Sequence, residues 1–169
     1  MSISMYQAFI PGAVRALENC MEILNKVAAH AEARKIDPSV FINARLAPDM
    51  FPLSRQIQIA SDTVKGGVAR LAGEEPPKYE DNETTFPELI ARLRKTADYL
   101  KSFKPAQIDG SEDRPIVIKM RSGELNFSGQ NYLTGFVLPN LYFHITTTYA
   151  IARHNGVDLG KKDFLGKMD

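Results

Sequence analysis

The chain has 169 residues, 44% hydrophobic and 24% charged, with 21 Lys and Arg against 20 Asp and Glu for a formal charge of +1. That length suits one domain with one sizeable core, and the even charge leaves no basic footprint for nucleic acid or an anionic membrane surface. The single cysteine, Cys20, excludes an internal disulfide and a multi-cysteine zinc site, and it fits a reducing compartment.

The opening stretch "MSISMYQAFIPGAVRALENC" has neither a basic start nor a continuous apolar centre, so it does not read as a signal peptide. No apolar run reaches the roughly eighteen residues of a membrane span. The expectation is a single soluble, cytoplasmic domain over residues 1–169. Within it, Val14, Leu17, Met21, Leu24 and Ala28 recur at helical steps and draw the apolar stripe of a first helix. Pro11 marks either its start or a kink. Asp37-Pro38 reads as an N-cap and first-turn proline that open a short helical piece through "SVFINARL".

The second helical stripe is Leu53, Ile57, Ala60, Val64, Val68 and Leu71, with Asp49 as its expected N-cap and Gly73 as its C-terminal stop. "GEEPPKYEDNETT" follows as a polar, proline-bearing loop. Thr85 and Glu88 then have the spacing of a capping box, opening a third helix along Leu89, Leu93, Ala97 and Leu100. In "PIVIKMRSGELNFSG" the periodicity changes to alternation. A Ser122-Gly123 turn there pairs Met120 with Leu125 and Ile118 with Phe127, giving a small hairpin laid on the helices. A fourth helix covers roughly 131–155, with Pro139 either kinking it or opening its main part, and it stops at Asn155-Gly156. The tail "VDLGKKDFLGKMD" is too rich in glycine and charge for another long element, and Phe164-Leu165 is expected to tuck into a groove on this chain or a partner's. Four amphipathic helices argue for an all-α four-helix bundle with a hairpin inserted between the third and fourth.

The candidate chemistry sits on the fourth helix. At about 100° per residue, Val137, Leu141, His144, Thr148, Ile151 and Asn155 share a stripe, with Leu138, Tyr142, Ile145, Tyr149 and Ala152 beside it. Asn140 lies one turn before His144. His154 falls to the side, and on the first helix His30 points away from the stripe toward solvent. Only one of the three histidines therefore faces the core, whereas a divalent metal in a bundle needs three or four converging ligands. Asp62 lies off the second stripe, and the nearer Gln56 and Ser61 are poor ligands. In the plainest account Thr148 donates to the His144 carbonyl four residues back, and the imidazole finds one partner on another helix. The richer account makes the same groups line a pocket that orients a small molecule. Tyr142, Phe143 and Phe136 are expected to be packing groups. Cys20 reads as a buried inert thiol, and Gly66-Gly67 as a close helix contact in a chain without nucleotide-binding glycine motifs.

"ARLAPDMFPLSRQ", "LPNLYFHITTTYAIARHNGV" and "LGKKDFLG", in this order and spacing, resemble a domain-of-unknown-function family grouped with the DinB-like (YfiT-like) four-helix bundles. The resemblance spans essentially the whole chain. It implies an up-down-down-up bundle and, commonly in that superfamily, homodimers. Its relatives include metal-dependent thiol transferases and hydrolases whose three-histidine site takes one ligand from the second helix and two from a His-x-x-x-His step on the last. Here the last helix offers Asn140-x-x-x-His144 or His144-x-x-x-Thr148, and the second helix has no histidine. His144 alone carries over as a ligand position.

Three functions follow. The first is a bundle without the three-histidine metal site and with no cofactor, forming a homodimer and holding a small molecule near His144 and Thr148, with Asn140 and Gln56 as further contacts. The second is a DinB-like thiol transferase or hydrolase with a divalent metal at His144. The third is a structural or stress-related interaction protein without a pocket.

Overall fold

In a computed structural model, which describes residues 3–120 and 123–167, the first helix, α1, runs Met5–Arg34. Ser4 accepts from the Gln7 amide, and Gln7 Oε1 accepts in return from the Ser4 amide, both at 3.3 Å. Pro11 thus lies in the second turn and does not begin the helix. Its buried seam is Phe9, Ala13, Leu17, Cys20, Leu24, Val27 and Ala31, all fully shielded. Met21 and Ala28, expected in the stripe, are half-buried on its shoulder, because the longer helix centres its apolar arc on the Phe9–Ala31 line.

Asp37 caps α2 (Pro38–Ile42) by accepting from the Ser39 amide at 2.8 Å. This helix stops at Ile42, short of the expected Leu46. The next, α3 (Leu53–Ala72), has Pro52 rather than Asp49 at its N-cap and no side-chain cap. A long-range bond takes the cap's place: the Leu53 amide donates to the Ala44 carbonyl at 3.0 Å. All six expected stripe residues of α3 are fully buried, and Gly73 ends it at φ +80°, the left-handed conformation that favours glycine. Thr85 and Glu88 form the expected capping box of α4 (Phe86–Lys101).

After α5 (Pro105–Ile108), strands β1 (Pro115–Met120) and β2 (Gly123–Ser128) pair antiparallel as the hairpin. The register matches Met120 with Gly123, Ile118 with Leu125 and Ile116 with Phe127, two residues away from the expected pairing. Gly123 is therefore a strand residue, and Ser122 lies outside the described residues. A slip of two keeps every side chain on its face, so alternation cannot detect it. Ile116, Ile118 and Phe127 pack inward.

The last long helix is compound. α6 (Gly129–Tyr132) passes into a π-helical turn, Leu133–Val137, and then into α7 (Leu138–His154). The Leu138 amide reaches five residues back to Leu133, and Pro139, which has no donor to offer, occupies the first turn of α7. Pro139 thus opens the regular segment, and the wide turn carries the chain through without a break. The short α8 (Lys161–Leu165) docks on the same chain. Asn19 donates to the Phe164 carbonyl at 3.0 Å, and the Phe164 ring meets Tyr149 edge-on.

Helix directions follow from named contacts. Phe86 at the start of α4 and Ala31 near the end of α1 border one cavity, so these two run antiparallel. Asp62 and Gln58 of α3 meet Arg92 of α4, both near their own N-terminal halves, so α3 and α4 run parallel. His144 meets Gln56, while Val137 faces Gly67, so α7 opposes α3 and runs with α1. The bundle is up-down-down-up. At its waist Gly67 permits the closest approach. A Cβ there would stand 2.9 Å from a Val137 methyl and 3.0 Å from the Phe9 ring. No helix among the described residues is long and apolar enough to cross a membrane.

Candidate functional site

Gln56 is in the first turn of α3 and His144 in the second turn of α7, and the antiparallel pairing brings them together. His144 is 8% exposed and Gln56 2%. Gln56 Nε2 donates to the Phe51 carbonyl at 3.0 Å, which turns Oε1 toward His144 Nδ1 at 2.7 Å. An amide oxygen can only accept, so Nδ1 carries the proton and Nε2 holds a free lone pair. Nε2 has no partner among the described residues and is not among the sealed, unpartnered atoms, which are Arg92 Nε and Ser111 Oγ. It therefore opens to the surface. Burial pushes the imidazole below its ordinary value, and the nearby Arg55 guanidinium pushes it the same way. The ring is neutral at pH 7.

The remaining sequence candidates support this ring from behind. Thr148 is fully buried and donates to the His144 carbonyl at 2.9 Å. Asn140 Nδ2 donates to the Phe136 carbonyl at 2.7 Å, closing the wide turn. Neither side chain is turned to a ligand position beside Nε2. His30 stands edge-on to Phe41 at 5.7 Å and is half-buried rather than in solvent, while His154 is exposed at the C-terminal end of α7. Among the described residues no three His, Cys, Asp or Glu side chains gather as a metal-binding group. The donor set around His144, an amide already bound at both ends, does not fit the three-histidine centre that the resemblance implies.

The outer face of α7 departs from expectation. Phe143 is 57% and Tyr142 43% exposed, so neither is a core packing group. With Leu46, Pro139, Thr147 and Ala150 they line a groove of about 410 Å³. The Phe143 ring meets His144 edge-on at 5.2 Å. From Leu138 to Ala152 no charged residue occurs. The free face of this helix is thus largely apolar, with Thr146 as its exposed polar group.

Two arginines went unnoticed in the sequence. The Arg92 side chain, 2% exposed, fans out to Asp62 at 2.9 Å, Asp81 at 3.0 Å and Glu83 at 2.9 Å, and also donates to the Glu80 carbonyl at 2.9 Å. It thereby pins the 74–85 loop across the α3–α4 seam. Tyr79 of that loop has Lys65 and Lys95 over its ring at 4.0 and 4.2 Å. The acidic run "YEDNE" opposite a cation three residues after Leu89 was the available signal. The second, Arg70, folds back over Gly66 and donates to the Tyr132 hydroxyl at 3.2 Å. Cys20 is sealed in the core, its thiol pushed up to about 12 by burial, which suits an inert thiol.

Residues 5–165 match the family described as "Domain of unknown function (DUF1993)". A crystal structure of a DinB family member protein from Shewanella denitrificans is similar with a TM-score of 0.88 and 43% identity, over 96% of this chain and 92% of that one. No curated protein matches the chain.

Proposed function

The chain belongs to the DUF1993 family and has the DinB-like fold, and from that premise we propose that it is a binding bundle rather than a three-histidine metal enzyme. Its ligand is a small molecule that donates a hydrogen bond to His144 Nε2. The observation that carries this reading is the Gln56 amide, which fixes the tautomer and leaves one lone pair facing outward on a neutral ring. A neutral acceptor beside Arg55 selects an uncharged donor, a hydroxyl or an amide, over an ammonium group. Phe143 supplies an apolar wall. Thr148 and Asn140 act indirectly, by holding the backbone that presents the ring.

The same reading makes the protein a homodimer through the outer face of α7. That surface is apolar and carries no charge, so two copies meet on it without like-charge repulsion. Phe143 borders both the imidazole and this face, so a second copy would wall the ligand site.

Thermal-shift screening against a panel of hydroxyl- and amide-bearing metabolites tests the ligand. A true ligand raises the melting temperature, moves the His144 Nε2 resonance, and loses its effect in His144→Phe. Binding that survives that substitution undiminished places the pocket elsewhere. Stoichiometric zinc, nickel or manganese in tag-free protein, with activity gained on adding it, would favour the thiol transferase or hydrolase instead.

A further inference from the structure

We infer that the cleft between α3 and the β1–π-turn side is a second binding site, for a small carboxylate with an apolar body, gripped by Arg70. The cleft measures about 240 Å³ and is lined by Arg55, Asp62, Arg70, Ile118, Tyr132 and Phe136, among others. That is below the roughly 300–1,000 Å³ of sites for drug-sized molecules, so the occupant is fragment-sized.

The three charged residues in this lining differ in one respect. Arg55 pairs with Asp81, and Asp62 pairs with Lys65 and Arg92. Arg70 makes no ion pair among the described residues. Its one side-chain bond, to the Tyr132 hydroxyl, uses one of the five N–H donors that a guanidinium carries. Neither of the other two nitrogens, Nε and Nη2, is sealed from solvent without a partner.

The guanidinium is also seated. A Cβ on Gly66 would collide with Arg70 Nη1, so the arginine lies flat on its own helix in the space that glycine vacates. Glycine is disfavoured inside a helix, and the helix contact that accounts for Gly67 does not involve Gly66, whose Cβ would meet only Arg70. An arginine fork held at one end by the Tyr132 hydroxyl and with free donors at the other matches a planar carboxylate. The apolar wall is Ile118 of β1 and Phe136, whose ring stacks on Tyr132 at 5.8 Å and 16° and stands 5.6 Å from Phe127. Phe136 belongs to the π turn, a helix distortion that recurs at binding sites. One open cation, with Asp62 on the same lining, favours a monoanion over a phosphate dianion.

The site is separate from the one at His144, since only Arg55 stands near both, and either can fail alone. An NMR titration that follows backbone amides and the arginine Nε–H groups tests it, with benzoate as probe and benzamide as its uncharged counterpart. Benzoate should give saturable shifts at Arg70, Ile118 and Phe136, with benzamide at least about tenfold weaker. Arg70→Lys, which keeps the charge and loses the fork, should weaken benzoate about tenfold. Gly66→Ala should do the same by unseating the guanidinium, in a helix that alanine favours, so its circular dichroism and melting temperature report an intact fold. Equal binding of benzamide, benzoate binding unchanged in both variants, or no saturable shift would overturn the proposal.

Discussion

The Gln56–His144 bond admits a quantitative test by a double-mutant cycle. Both groups are buried and 2.7 Å apart. His144→Phe leaves Gln56 Oε1 without its donor, a loss of about 1–3 kcal/mol for a buried unsatisfied acceptor. Gln56→Leu leaves Nδ1–H unpaired and cuts the tie to the Phe51 carbonyl, costing a similar amount. The double variant sets two apolar groups against each other, so it should cost at least about 1 kcal/mol less than the two singles together. Urea unfolding followed by circular dichroism measures all four proteins. The pH dependence adds a second readout. Burial and Arg55 hold the folded imidazole below its ordinary value, while the unfolded ring titrates near its reference of about 6.5. The unfolded chain therefore takes up more protons below that pH. The stability from a neutral ring is present above about pH 6.5 and is lost as pH falls through the folded pKa. The wild type minus His144→Phe difference should fall with acid accordingly. Strict additivity together with a flat difference curve would refute the tautomer assignment and with it the ligand site.

Gly67→Ala should lower the melting temperature, because its Cβ would enter a shielded gap 2.9 and 3.2 Å from the two Val137 methyls and 3.0 Å from Phe9. Overpacking of about 1–3 kcal/mol exceeds the helix-propensity gain of at most about 1 kcal/mol. Arg92→Met should cost about 2–3 kcal/mol, below the figure for a fully buried pair since Asp62 and Asp81 keep solvent contact, and should speed hydrogen exchange at residues 78–83. Phe143→Glu should convert a dimer to a monomer in sedimentation equilibrium without loss of helix content; a monomeric wild type would remove the dimer proposal.

What the sequence revealed divides by range. The Thr85–Glu88 box, the Asp37 cap and the Gly73 stop are contacts within a few residues, and so is the Thr148 bond to the His144 carbonyl. Asp49 failed as a cap because α3 begins only at Leu53, after Pro52, and the Leu53 amide is taken by the Ala44 carbonyl across the loop. The hairpin's faces were legible and its register was not, since alternation is blind to a shift of two. Arg92 draws partners from residues 58 to 83, and a charged residue beside an apolar stripe looks solvated until those partners are in place. The exposure of Phe143 and Tyr142 escaped for the opposite reason: an all-apolar helix gives no sign of which side is left bare.

Parallel neighbours in a bundle bind their lengths together. Because α3 and α4 point the same way, the thirteen residues 73–85 must climb back alongside the helix just completed. Twenty residues of α3 rise about 30 Å, and thirteen residues drawn straight reach about 45 Å. Deleting about four of them would exhaust the spare reach, and about three further turns in α3 would do the same. Among homologues, long gains in α3 should therefore not occur together with a shortened connection, a covariation of segment lengths rather than of residues.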